Sequence, residues 1–151
     1  MATVTWAGCA FPDDLLYDLQ HDVWVRLGGG QAEIGMTDVA QTRCGRLVEV
    51  TWKPSGRLVR RGRPLCIVES SKWVGPVLSP LSGTVAACNV EGFAADIAVA
   101  NRDPYGAGWL VRLDLIDPAD ELAELRDGAA AYQHYRQVID EQQIRCFRCT
   151  E

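Results

Sequence analysis

The sequence predicts a mainly β protein with helices at its periphery, an α+β chain folded as a flattened barrel or sandwich. Short apolar, partly β-branched runs such as Leu65-Cys66-Ile67-Val68 and Thr84-Val85-Ala86-Ala87-Cys88 recur through the middle of the chain. They are separated by closely spaced turns at Pro54-Ser55-Gly56, Arg61-Gly62 and Ser82-Gly83, a rhythm typical of sandwiches and small barrels. Helical spacing is concentrated after Asp117.

Taken in order, residues 1–20 read as an N-terminal extension in which Asp13-Asp14 cap a short helical turn through Leu15, Leu16 and Leu19. Residues 23–27 and 32–36 read as strands around Gly28-Gly29-Gly30, because glycine accepts the positive φ that a hairpin turn needs. Thr37 can cap a short helix that stops at Gly45. Strands then recur as far as residues 111–115. Asp117-Pro118 places an acidic cap before a proline at a helix start, with Asp120 and Glu121 complementing the dipole. Leu122 and Leu125, then Tyr132, Tyr135 and Ile139, carry helical spacing past Asp127-Gly128 and read as packing faces. Residues 21–140 thus form one domain that includes the C-terminal helices, and residues 141–151 a tail containing Cys146-Phe147-Arg148-Cys149.

The composition excludes several classes. A chain of 151 residues with 48% hydrophobic content can bury a core without disulfide support. No apolar stretch reaches membrane-spanning length, and no basic-then-hydrophobic leader opens the chain, so a cytoplasmic protein with no membrane partner is expected. A net charge of -5 argues against nucleic-acid binding, and the cluster Arg57, Arg60, Arg61 and Arg63 reads as a solvated face. The six cysteines are irregularly spaced: Cys66 and Cys88 fall in apolar runs and read as buried, Cys44 as core or helix end, and Cys9 as an exposed thiol. Cys146 and Cys149 form a Cys-x-x-Cys pair, a redox candidate or an incidental tail. With no second pair, and with His21 and His134 isolated, no metal site is expected.

Lys72 stands out. Only one other lysine, Lys53, occurs, and every other basic residue is arginine. A lysine amine can be acylated, whereas a guanidinium stays protonated. Lys72 falls at the bend between two strand-like runs, flanked by the similar pieces Gly45-Arg46-Leu47-Val48-Glu49-Val50 and Gly83-Thr84-Val85-Ala86-Ala87-Cys88.

Glu69-Ser70-Ser71-Lys72 resembles the lipoyl-attachment motif of glycine-cleavage H proteins. The resemblance extends to Trp24-Val25, to Ile34-Gly35-Met36-Thr37-Asp38-Val39-Ala40-Gln41, to Ser79-Pro80-Leu81-Ser82-Gly83 and to Asn101-Arg102-Asp103-Pro104-Tyr105-Gly106, covering roughly residues 21–125. It implies a lipoyl/biotinyl-type flattened barrel or sandwich with C-terminal helices. It also implies a carrier that is not itself an enzyme, lipoate covalently attached at Lys72, and a lipoate ligase or lipoyl transferase as partner. Glu69, Ser70 and Ser71 would surround the lysine for recognition. Trp73 and Val74, apolar at an exposed bend, would touch the arm or a partner enzyme, unless Trp73 folds back on the sheet.

The chain also departs from that family. Trp73-Val74-Gly75-Pro76 follows the lysine, Asp22-Val23 precedes the first tryptophan of the motif, and residues 93–100 are apolar. Lys72-Trp73-Val74-Gly75-Pro76 is more similar to lipoate-binding proteins of the heterodisulfide-reductase-like sulfur-oxidation system. The expectation is a shuttle of sulfur-bearing intermediates for a heterodisulfide-reductase-like complex. The alternatives are an aminomethyl carrier working with the glycine-cleavage enzymes, or an interaction module with Lys72 unmodified.

Overall fold

Strands dominate residues 3–148, the part of the chain that the computed structural model describes. One antiparallel sheet runs in the order β3 (Leu16–Asp18), β4 (Val23–Gly28), β5 (Gln31–Met36), β11 (Val111–Leu115), β10 (Gly83–Cys88) and β7 (Leu58–Val59). A three-stranded antiparallel sheet consists of β6 (Leu47–Trp52), β8 (Pro64–Ser70) and β9 (Val74–Leu78), with β8 central. A separate hairpin pairs β1 (Thr3–Trp6) with β2 (Cys9–Pro12). The helices are α1 (Asp38–Cys44), α2 (Val90–Ala95), α3 (Val99–Arg102), α4 (Ala119–Leu122) and α5 (Gly128–Gln142). A mainly β sandwich with a C-terminal helix is what the strand and turn rhythm predicts.

Alternation along β4 explains why the molecule has two cores. Val23 and Val25 point into the space between the two large sheets, where Ile34, Val85 and Leu113 meet Leu47, Leu65 and Val68. Trp24, between them, points the other way into a second, aromatic core with Phe11, Tyr17, Tyr105 and Tyr135. Phe11 and Tyr135 stack at 5.1 Å between ring centroids. The β4–β5 turn has Gly29 and Gly30 at φ 58° and 76°, the paired positive values of a tight primed hairpin.

Three expectations change. The helical turn expected at residues 13–19 is a bend leading into β3. Leu15 and Tyr17 enter the aromatic core while Leu16 packs on the other one, a period of two that strand pairing with β4 rewards and a helix would not. The segment expected as an extension is therefore built into the molecule, with Tyr17 and Arg126 exchanging backbone hydrogen bonds of 2.8 and 2.9 Å. At the other end, Asp117-Pro118 opens only the four-residue α4, and the long helix starts afresh at Asp127, whose carboxylate accepts from the Ala130 amide at 2.9 Å. Finally, Cys9 is fully buried and disulfide-bonded to Cys146, so it is not an exposed thiol. Cys66 is buried and Cys88 half-buried, both as free thiols. Among the described residues no helix is long and apolar enough to cross a membrane.

Candidate functional site

Inward and outward positions alternate along β8, and this parity builds the site. Cys66, Val68 and Ser70 face inward, and Ile67 and Glu69 face solvent. A buried hydroxyl needs partners, and Ser70 finds them: it donates to the Cys44 carbonyl at 2.6 Å and accepts from the amides of Lys72 and Trp73 at 3.3 and 3.2 Å. The Ser70 amide also donates to the Trp73 carbonyl at 2.8 Å. This hydrogen bonding closes the turn from β8 to β9 and leaves Ser71 and Lys72 exposed at its tip. Ser70, expected as a recognition residue, is only 6% exposed; it positions the lysine from below and offers an enzyme little to touch.

The Lys72 stem lies across Gly45, the cap that ends α1. Gly45 has φ 86° and ψ -176°, a region almost restricted to glycine, and a methyl group there would stand 3.0 Å from Lys72 Cε. Asn101, 2% exposed, fixes this stretch: its Oδ1 accepts from the Leu47 amide at 2.9 Å, and its Nδ2 donates to the Gly45 carbonyl at 2.9 Å and to Gln41 Oε1 at 3.1 Å. Thr37 caps the other end of α1, accepting from the Ala40 amide at 3.2 Å.

Beside Lys72 opens a cleft of about 590 Å³. Trp73, Pro76 and Leu78 line it on the lysine side, and His21, Asp22, Met36 and Cys44 are among the residues that complete it. The Trp73 ring lies over Gly75, where a methyl group would overlap it, so the tryptophan leans on its own strand while remaining 44% exposed. Asp22, the one acid among the lining residues, accepts a hydrogen bond on each oxygen. Tyr135 donates to its Oδ1 at 2.8 Å and Arg43 to its Oδ2 at 3.2 Å. Burial raises the Asp22 pKa, opposed by the Tyr135 hydrogen bond and then by Arg43. Burial likewise raises the Cys44 thiol, opposed by Ser70 and Lys72, so it stays protonated and unreactive at neutral pH.

Glu69 and Val74 do not reach the cleft. They pair across β8 and β9 on the outer face of the sheet, where Val74 is 61% exposed and Glu69 also faces Glu49. Cys146 lies in the disulfide with Cys9, apart from the cleft lining, and Cys149 lies outside the described residues. His21, just past the end of β3, has a local partner: its Nδ1 sits 2.7 Å from Asp18 Oδ2. Asp22, Arg43 and Cys44 were unmarked as neighbours of Lys72; the one available signal was the stop at Gly45 that brings the end of α1 beneath the bend. No cluster of three or more metal-ligating side chains occurs among the described residues.

A family model described as Glycine cleavage H-protein matches residues 15–139. The chain is 40% identical to "Glycine cleavage system H protein 3" of Aquifex aeolicus, over 95% of this chain and 91% of the relative. It is also 40% identical to "Glycine cleavage system H protein" of Chlorobium limicola, over 87% of this chain and 99% of the relative. A crystal structure of a glycine cleavage system H protein from Mycobacterium marinum superimposes with a TM-score of 0.68 at 27% identity, covering 82% of this chain and 98% of that one.

Proposed function

The chain belongs to the glycine cleavage H-protein family, whose members carry lipoate covalently on a lysine and are not enzymes, and we propose that Lys72 is the lysine that bears it here. The observation that carries this reading is the exposed turn held from below by Ser70, with Lys72 at its tip beside an open cleft. The residues suit the group: an amide at Nζ removes a charge, and Met36, Trp73, Pro76 and Leu78 give an acylated arm an apolar wall to lie against. The lipoyl group, when bound, supplies a dithiolane that picks up and hands over cargo. The chain's own part is to hold the lysine at a fixed place and shelter what it carries. Lys53 has no comparable setting, lying between the end of β6 and Pro54 with its carbonyl accepting from Cys88.

The pathway we infer is glycine cleavage, with the aminomethyl group as cargo, its enzymes and a lipoate ligase or transferase as partners, and the cytoplasm as the place of work. The names of the relatives support this over the sulfur-oxidation role expected from Lys72-Trp73-Val74-Gly75-Pro76. One observation favours sulfur oxidation as a second reading: the single acid lining the cleft already accepts from Tyr135 and Arg43, which weakens it as a partner for an ammonium cargo. Reconstitution of the lipoylated protein with glycine decarboxylase and aminomethyltransferase decides between them. The proposal expects turnover within about tenfold of an authentic H protein, a barrier difference of about 1.4 kcal/mol. Turnover at background overturns glycine cleavage in favour of the sulfur cargo.

A further inference from the structure

Ala10 on one side and Phe147 and Arg148 on the other, far apart in sequence, meet on helix α1. The Cys146 amide donates to the Ala7 carbonyl at 3.0 Å, and Cys146 and Cys9 are joined by a disulfide spanning 137 residues. Cys9 is fully buried and Cys146 is 6% exposed. Next to the disulfide, Gln41 Nε2 donates to the Phe147 carbonyl at 2.9 Å and Arg148 reaches Asp38 Oδ2 at 3.2 Å. Asp38 is fully buried, and a buried carboxylate depends on its donors. Two of those donors come from the terminal segments: Arg148, and the Ala10 amide at 2.9 Å. Helix α1 has seven residues, too few to hold itself in water, so its order is lent by such contacts.

The opposite end of α1 is the cleft wall. Gln41, which holds the tail through its Nε2, accepts from Asn101 through its Oε1, and Asn101 fixes Gly45 and Leu47 beneath the Lys72 stem. Arg43 and Cys44 line the cleft itself, and Arg43 also bonds Gln142 at the end of α5. One set of hydrogen bonds therefore runs from the disulfide-tethered tail to Gly45 and Leu47, and the neighbouring Cys44 carbonyl is the one that Ser70 holds beneath the lysine turn. In a reducing compartment a disulfide is usually transient, and often redox-sensing.

We propose that Cys9–Cys146 is a redox-sensitive tether whose oxidised form holds the tail on α1 and keeps the cleft wall ordered, and whose reduction by a small dithiol releases both. The thiolate of the dithiol attacks Cys146 Sγ, Cys9 Sγ leaves and takes a proton, and the second sulfur of the dithiol then displaces Cys146 Sγ. Two protein thiols and one oxidised dithiol result, so two electrons and two protons pass to the protein. The tether stands on its own geometry, and only its consequence for the arm rests on the carrier reading.

Hydrogen–deuterium exchange on the full chain, before and after treatment with dithiothreitol, tests the tether, with thiol alkylation and mass mapping to verify each state. Reduction is expected to speed exchange of the Cys146 and Gly45 amides by on the order of tenfold or more while the β4–β5 amides keep their protection. A Cys9→Ser variant should match the reduced protein, and the reduced wild type keeps the test valid should that variant fold poorly. Unchanged exchange in α1 after verified reduction overturns the proposal, as does oxidised protein in which Cys146 maps to Cys149 and not to Cys9. Lipoylation at Lys72 is scored separately, so that loss of the carrier reading and loss of the tether give different results.

Discussion

Ser70 holds the Lys72 turn from its buried side. Replacing it with alanine leaves the Cys44 carbonyl and the two turn amides without their buried partner. Such a loss costs roughly 1–3 kcal/mol, and it frees the tip to wander. Ser70→Ala should therefore lower stability by that amount in urea titrations and slow lipoylation of Lys72 in a ligase assay; an unchanged ligation rate would mean that the turn does not need this hydroxyl. Cys44→Ala should leave lipoylation intact, since burial keeps that thiol protonated beside the arm. The lysine itself was legible from composition, one of two in a chain otherwise supplied with arginine. The inward direction of Ser70 was not, because which face of a strand is buried depends on a partner sheet that local sequence does not reveal.

At the scale of elements, α1 links everything that matters here: Thr37 starts it, Gly45 ends it, the tail lies on it and the cleft uses its last turn. Gly45→Ala forces a side chain into a backbone region that costs on the order of 1–3 kcal/mol and pushes against Lys72 Cε. A matching fall in stability with slower lipoylation is expected; a variant as stable as the parent would show that the turn can relax. The limits of α1 were readable in Thr37 and Gly45, as was the Gly29-Gly30 hairpin. The third strand was not, since Asp13-Asp14 resembles a helix cap and only pairing with β4 and Arg126 selects the extended form. Helices α2 and α3 were hidden in an apolar stretch without periodicity long enough to classify.

For the whole molecule, the second core is where solution conditions act. Tyr17, Tyr105 and Tyr135 are raised above the ordinary tyrosine pKa, by burial first of all. The folded state keeps protons that the unfolded chain releases above about pH 10. Stability from this source is therefore complete below about pH 10 and is lost as pH rises toward the folded values. Tyrosinate absorbance beyond one of the four tyrosines should appear together with loss of near-UV circular dichroism; more than one phenolate forming while that signal persists would contradict the burial. The disulfide belongs to this scale too, and distance hid it: its partners are 137 residues apart, while the Cys-x-x-Cys spacing drew attention to Cys149. Because both cores are made by the chain's own side chains, melts of the lipoylated and unlipoylated forms should coincide within a few degrees.

The central claim is that Lys72 carries the arm, and peptide mapping by mass spectrometry of the protein made in a lipoylating cell tests it most directly, run beside Lys72→Arg. The account predicts a lipoyl adduct on the peptide containing Lys72, none on Lys53, and a folded but unmodified Lys72→Arg protein, since an exposed arginine at the tip costs little. An adduct on Lys53, or one that survives in Lys72→Arg, would contradict it.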